Sequence, residues 1–311
     1  MHIKIGTRGS KLALWQAYYI ENLLQKGGIE TEIVIIETKG DKILDRSLSK
    51  IGSKGVFTQE LEDQLRSGAI DIAVHSAKDL QSELDTDFEI IAFTERERAN
   101  DVLVSLNTGL SLKSGEPFVV GTSSTRRVAV LKHFYPHIKT VDMRGNLQTR
   151  LRKLEEGHCD ALLLAYAGVH RMEYDDKIAE YLLLDEFTPA VGQGSVAVEC
   201  TVSLSSEKKA ILKNLLNHEP TETCLRTERA FLKQLHGGCS IPVFGLATLE
   251  ENQINISGGI VSLDGSELIR LSQKGPLISP EELGTSLADE LLDAGGDRIL
   301  QEIRNHQSAV L

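Results

Sequence analysis

The stretch Val120-Gly121-Thr122-Ser123-Ser124-Thr125-Arg126-Arg127 sets three hydroxyl-bearing residues, then a threonine and two adjacent arginines, directly after an apolar run. Three other places repeat the pattern of an apolar run ending in polar or cationic residues. They are "IGTRGS" (5–10) with Arg8 and Ser10, "VHSAKD" (74–79) with Lys78 and Asp79, and "VDMRGN" (141–146) with Arg144. At the carboxyl end of a strand such residues open a helix, whose free N–H groups and dipole favour anions, while arginine forks hold carboxylate or phosphate. One such junction is explained by ordinary capping. Four of them predict a cleft for a small, multiply anionic ligand. No Walker A sequence and no Gly-x-Gly-x-x-Gly after a strand occurs, which favours carboxylates over a nucleotide phosphate. "AVGQGS" (190–195) reads equally as a ligand loop or as a tight interdomain turn.

Charge supports a small ligand over a polymer. The 311-residue chain has a formal net charge of −11, against general nucleic-acid binding. Yet eight Lys or Arg and a single acid, Asp142, lie between Gly121 and Lys153. Among those arginines Asp79 would stay ionised and could stabilise a developing cation. His75, between apolar strand residues, reads as a core histidine. The four cysteines have neither metal-ligand spacing nor a disulfide framework, and no metal is expected. Cys159, Cys200 and Cys224 read as small buried hydrophobes. Cys239 differs, since "HGGCSIP" presents it in a glycine loop. No apolar run approaches the about 18 residues of a membrane span, so no membrane is expected. The opening "MHIKIGTRGSKLALWQA" goes straight into strand alternation without a signal core, which makes the cytoplasm the expected compartment.

The elements that must position these residues alternate. "HIKI", 31–38, 70–76 and 88–94 read as strands, with helices over "SKLALWQAYYIENLLQK" (N-capped by Ser10) and 57–71. A second run has strands at 101–105, 118–121, 138–142 and 160–168, with helices near 124–134 and 146–156. Such alternation predicts βαβ units and mainly parallel sheets. "SVAVEC" (195–200) is too isolated to found a sheet and is expected to return to the first lobe. From about 218 a helical pattern (220–235), meander strands with a hairpin signal at Asp264-Gly265, and a final helical segment after Pro280 form a small α+β unit. The expected boundaries are 1–98 with 191–216 for domain 1, 99–190 for domain 2 and 217–311 for domain 3. The fold class is α/β, two lobes with an interdomain cleft, and the strand carboxyl ends facing that cleft would bind the ligand.

The stretches "TRGSKLALWQA", "TKGDKILD", "KIGSKGVFTQELE", "DIAVHSAKDL", "VGTSSTRR", "MRGNLQTRLRKL", "AVGQG" and "GGCSIPVFG" together resemble the porphobilinogen deaminase (hydroxymethylbilane synthase) family, in family order and over nearly the whole chain. Departures are small: Gln81 stands where the family usually has Pro, and Thr125 where it often has Leu. The resemblance implies two lobes like type II periplasmic binding proteins and a third small domain. It also implies a dipyrromethane cofactor joined by a thioether to Cys239. The implied reaction adds four porphobilinogens head to tail, loses ammonia at each step and releases hydroxymethylbilane by hydrolysis, as part of tetrapyrrole (haem) biosynthesis. By the same resemblance Asp79 is the catalytic residue. Ser10, Lys78, Thr122, Ser124, Arg126, Arg127, Arg150 and Gln193 fall at cofactor contacts. Arg8, Ser10, Lys50, Arg144, Arg150 and Arg171 fall at substrate contacts. A monomer is implied, its product passing to the next enzyme of the pathway.

Each porphobilinogen carries an acetate and a propionate, so a growing pyrrole chain accounts for the arginines at the strand ends. A carrier of small anions is the main rival, but it has no use for a tethered thiol. A phosphoribosyl-type transferase would need an acidic cluster for Mg²⁺, and none is visible. A Cys239–His236 hydrolase would need an oriented pair that residues three apart in a tight loop seldom form.

Overall fold

The computed structural model describes residues 1–38, 58–238 and 240–310. The first sheet contains β1 (His2–Arg8), β2 (Glu30–Ile36), β3 (Ile72–Ser76), β4 (Phe88–Phe93) and β10 (Val196–Thr201), in the order β2-β1-β3-β10-β4. The second contains β5 (Asp101–Val104), β6 (Val119–Gly121), β7 (Lys139–Val141), β8 (Ala161–Ala165) and β9 (Ile178–Tyr181), in the order β7-β6-β8-β5-β9. Each sheet has one strand, β10 or β5, running against its neighbours. The expected mainly parallel sheets are thus mixed. The reversed strands are those that the chain enters straight after passing between the lobes.

Both faces of each sheet are covered, which is why their strands read as continuous apolar runs. In β8, Ala161 and Leu163 pack with α3 (Thr125–Phe134), while Leu162 and Leu164 pack with α4 (Leu147–Glu155). In the first lobe α1 (Lys11–Lys26) and α6 (Ser206–Leu216) lie on one face and α2 (Gln59–Ser67) on the other. Fully burying one such Leu or Ile contributes roughly 1.5–3 kcal/mol. Three local readings needed correction. The segment "AYAG", expected as strand, starts the short helix α5 (Tyr166–Arg171). β9 and α6 carried no signal strong enough to be expected. The final helical segment is two helices, α8 (Pro280–Leu291) and α9 (Asp297–Val310), broken at Gly295 with φ 105°.

The last unit is the antiparallel meander β11 (Val243–Glu250), β12 (Gln253–Val261) and β13 (Leu268–Pro276), packed on α7 (Glu219–Gln234) and α8. The segment after Asp79 is tied to it. Arg229 Nη2 donates to the Gln81 carbonyl at 2.7 Å, and Leu80 joins the core of this unit.

The two crossings between the lobes run side by side. Thr94 N donates to Val196 O at 3.0 Å and Glu97 N to Gly194 O at 3.1 Å. Among the described residues no helix is long and apolar enough to cross a membrane.

Candidate active site

The segments that follow β3, β6 and β7 meet at the seam between the lobes. Lys78 and Asp79 lie in a single 3-10 turn directly after β3. Gly192 of the second crossing presses on that turn: a Cβ there would sit 2.9 Å from Lys78 N, and its φ is +78°. Only glycine allows both the conformation and the approach. The next residue, Gln193, is buried and joins the lobes. Its Oε1 accepts from Lys78 Nζ at 3.4 Å, and its Nε2 donates to the Ala99 carbonyl at 2.7 Å and to Asp101 Oδ1 at 2.9 Å.

The paired arginines sit in the first turn of α3, whose N-cap Ser124 accepts from Arg127 N at 3.4 Å. Thr122, also buried, accepts from Ser124 N at 3.3 Å. Both guanidiniums are buried and share one acid at the start of β5. Arg126 Nη2 donates to Asp101 Oδ2 at 2.8 Å and Arg127 Nη2 to Asp101 Oδ1 at 2.7 Å. Their Nη1 atoms donate to the carbonyls of Thr188 and Leu163, each at 2.9 Å. Arg127 Nε is buried with no partner. Burial works against the Asp101 carboxylate, but Arg126 and Arg127 outweigh it and hold the group well below the usual carboxylate range.

Arg150 rises from α4 to the same place, its Nε donating to the Gly145 carbonyl at 2.8 Å. Gly145 has φ 110°, and a Cβ there would meet Thr149 at 2.6 Å, so this turn too needs glycine. Burial first, then Arg127 and Arg144, push Arg150 down to about 10, against the pull of Asp79 across the seam. Burial and then Arg127 push the Lys78 ammonium down to about 8, with Asp79 and Asp101 opposing. Asp79 is exposed and makes no hydrogen bond or ion pair among the described residues. Arg144 Nε donates to Asp142 at 3.1 Å. Arg8 ends β1, and Ser10 caps α1 by accepting from Ala13 N at 3.3 Å.

The structure therefore brings Lys78, Asp79, Thr122, Ser124, Arg126, Arg127, Arg150 and Gln193 to one seam. Arg126 is more committed than expected, with its two terminal nitrogens on protein acceptors. Arg171 lies elsewhere on the seam, its Nη2 on the Gly194 carbonyl at 2.7 Å and its guanidinium 5.1 Å from the Trp15 ring centroid. Lys50 and Cys239 lie outside the described residues. The flanks of Cys239 run close to the turn after Asp79, where Ser82 Oγ contacts the Gly237 carbonyl at 3.5 Å. The other three cysteines are buried as expected, and burial pushes Cys200 up to about 12 and Cys224 to about 11.

Sequence reasoning missed Asp101 and Glu228. Glu228 of α7 takes a fork from Arg96 at 2.5 and 3.1 Å, and also accepts from Gly192 N and Ala247 N. A lone acid before an apolar strand, and one in an amphipathic helix, carry no local signal of this kind.

Two α/β lobes thus set a cluster of cations, one fully buried acid and one exposed carboxylate along a shared seam. The chain belongs to the porphobilinogen deaminase family. Residues 3–209 match the model described as porphobilinogen deaminase, dipyromethane cofactor binding domain, and residues 222–293 match the family's C-terminal domain. A porphobilinogen deaminase of Cytophaga hutchinsonii is 57% identical over 97% of this chain and 97% of its own. One from Desulfosudis oleivorans is 52% identical over 99% and 100%. Among solved structures, a Bordetella pertussis BvgS VFT2 domain is 18% identical with a TM-score of 0.42, over 70% of this chain and 85% of its own. Lactococcus lactis GlnP substrate binding domain 2 is 14% identical with a TM-score of 0.43, over 68% and 87%.

Proposed function

We propose that this chain polymerises four porphobilinogens head to tail on a covalently held dipyrromethane, releasing ammonia at each addition and then hydroxymethylbilane by hydrolysis. The observation that carries the reading is the surplus of cations at the seam. Lys78, Arg126 and Arg127 gather around one buried acid, Asp101, with Arg150 close to Arg127 and with the exposed Asp79 beside Lys78. Burying unmatched cations is costly, so such a surplus suits anions supplied by a ligand. The partnerless Arg127 Nε is a buried donor of the kind a ligand carboxylate would satisfy.

The residues present thus fit the cofactor. Lys78, Arg127, Arg150, Thr122 and Ser124 would hold its carboxylates, with Arg126 and Gln193 behind them and Cys239 as the point of attachment. Bound, the dipyrromethane supplies the nucleophilic pyrrole carbon on which the chain grows. Arg8, Ser10, Arg144, Arg150, Arg171 and Lys50 are assigned to incoming porphobilinogen. Asp79 is assigned the chemistry. As porphobilinogen loses ammonia, positive charge develops on its pyrrole nitrogen, and a preorganised carboxylate within hydrogen-bond reach stabilises it. Because the other carboxylates are drawn off by arginines, Asp79 keeps that role.

The domain boundaries given above, a monomeric state, a cytoplasmic location and transfer of the product to the next enzyme belong to the same reading. The test is the intact mass of the purified chain with peptide mapping. An excess of two linked pyrrole units on Cys239 is expected, and an adduct on Cys159, Cys200 or Cys224 would refute the attachment.

A further inference from the structure

We propose that Asp101 is a positioning residue for cofactor loading, its carboxylate aligning Arg126, Arg127 and, through Gln193, Lys78 so that their remaining donors face the ligand. The inference rests on the functional reading above. Asp101 has no exposed surface and accepts three hydrogen bonds of 2.7–2.9 Å, from Arg126, Arg127 and Gln193. With Nη2 of Arg127 on Asp101 and Nη1 on the Leu163 carbonyl, the guanidinium plane is held at two points, and Nε is the one nitrogen of the group left without an acceptor. Gln193 transmits the order further: because Nε2 is occupied by Asp101 and Ala99, Oε1 must present itself to Lys78. One carboxylate therefore orients donors contributed by α3, the second crossing and the turn after β3. It neutralises only part of their charge, so the cluster keeps its attraction for an anion.

A merely structural Asp101 would affect stability alone. A positioning Asp101 must also set the protonation of Lys78, whose charged neighbours are Arg126 and Arg127 of α3, Asp101 of β5 and Asp79 of its own turn. Asp101 favours the ammonium form. Removing its charge would let Lys78 lose its proton at a lower pH, and carboxylate docking would weaken there too.

The experiment uses cofactor-free full-length protein, wild type and Asp101→Asn, incubated with porphobilinogen across pH 6–10 and followed by intact mass. Wild type should gain two pyrrole units, with loading declining on the alkaline side. Asp101→Asn should load about tenfold more slowly or worse near neutrality, with its alkaline decline moved to lower pH. Wild-type rates in the variant overturn the proposal. So does slower loading at every pH with the decline unmoved, which would leave Asp101 a structural role only. Wild-type protein that gains no pyrrole units brings down the underlying reading, and this one with it. Should Asp101→Asn not fold, Gln193→Met decides: it keeps both pairs of Asp101 with the arginines and removes the amide that ties Asp101 and the Ala99 carbonyl to Lys78. Its decline should also move to lower pH, and an unmoved decline overturns the proposal.

Discussion

At the residue scale the proposed function separates two tasks, holding carboxylates and stabilising a cation. Asp79 is suited to the second by being exposed and without a hydrogen-bond or ion-pair partner among the described residues, in contrast to Asp101, which three donors occupy. Replacing Asp79 by Asn should lower kcat by about 10²–10³ or more, with cofactor occupancy unchanged by mass. Asp79→Glu, which keeps the charge displaced by one methylene, should retain a measurable fraction; near wild-type kcat in loaded Asp79→Asn would refute the assignment. Arg127→Leu removes the only described buried side-chain donor of the cluster that lacks a partner. That variant should fold yet carry little cofactor, and full occupancy would show that docking depends on other groups. Most of these residues were legible beforehand, because their types and their places at strand ends carry the chemistry. Asp101 was not: nothing local distinguishes it from any acid that bounds a strand.

At the element scale, function depends on turns that bring strand ends together. Gly192 lets the second crossing lie on the backbone of Ala77 and Lys78, with 2.9 Å between a notional Cβ and either neighbour. Gly192→Ala must move backbone atoms and adopt a positive φ as well. A loss of more than about 1 kcal/mol is expected, read from urea unfolding, together with a fall in cofactor occupancy because Gln193 is displaced. Unaltered stability and occupancy would show that the crossing relaxes freely. The glycines of "AVGQG" were visible in the sequence, but a ligand loop and a tight interdomain turn could not be separated there. In the structure the glycine makes the turn and its neighbour Gln193 reaches the site.

At the scale of the whole molecule, the third unit is bound to the two interlobe crossings rather than hung beside them. Glu228 of α7 joins Arg96 of the first crossing, Gly192 of the second and Ala247 of β11. Replacing this buried carboxylate by Gln leaves the Arg96 charge poorly matched, at a cost of about 3–5 kcal/mol. The expected outcome is a lower urea midpoint and faster proteolysis at the crossings; unchanged values would mean that the three units hold together without it. Acid behaviour follows from Asp101. Its pKa in the folded protein is depressed, so its contribution is complete above the unfolded value near 3.9 and lost only as pH falls through the lower, folded one. The stability deficit of Asp101→Asn should accordingly stay constant from pH 7 to about 5 and shrink only below about pH 4. A deficit that vanishes by pH 5 would contradict the depressed pKa.

The sequence alone determined the alternation of strands and helices, the anion-seeking strand ends and the family resemblance, because periodicity, capping and motif order are local properties of the chain. It could not reveal which of many acids is buried against two arginines 25 and 26 positions away. Nor could it show that β5 and β10 run against their sheets, or that Glu228 ties both crossings to the third unit. Those contacts join residues far apart in the chain, and only close packing of three units decides which distant charges meet.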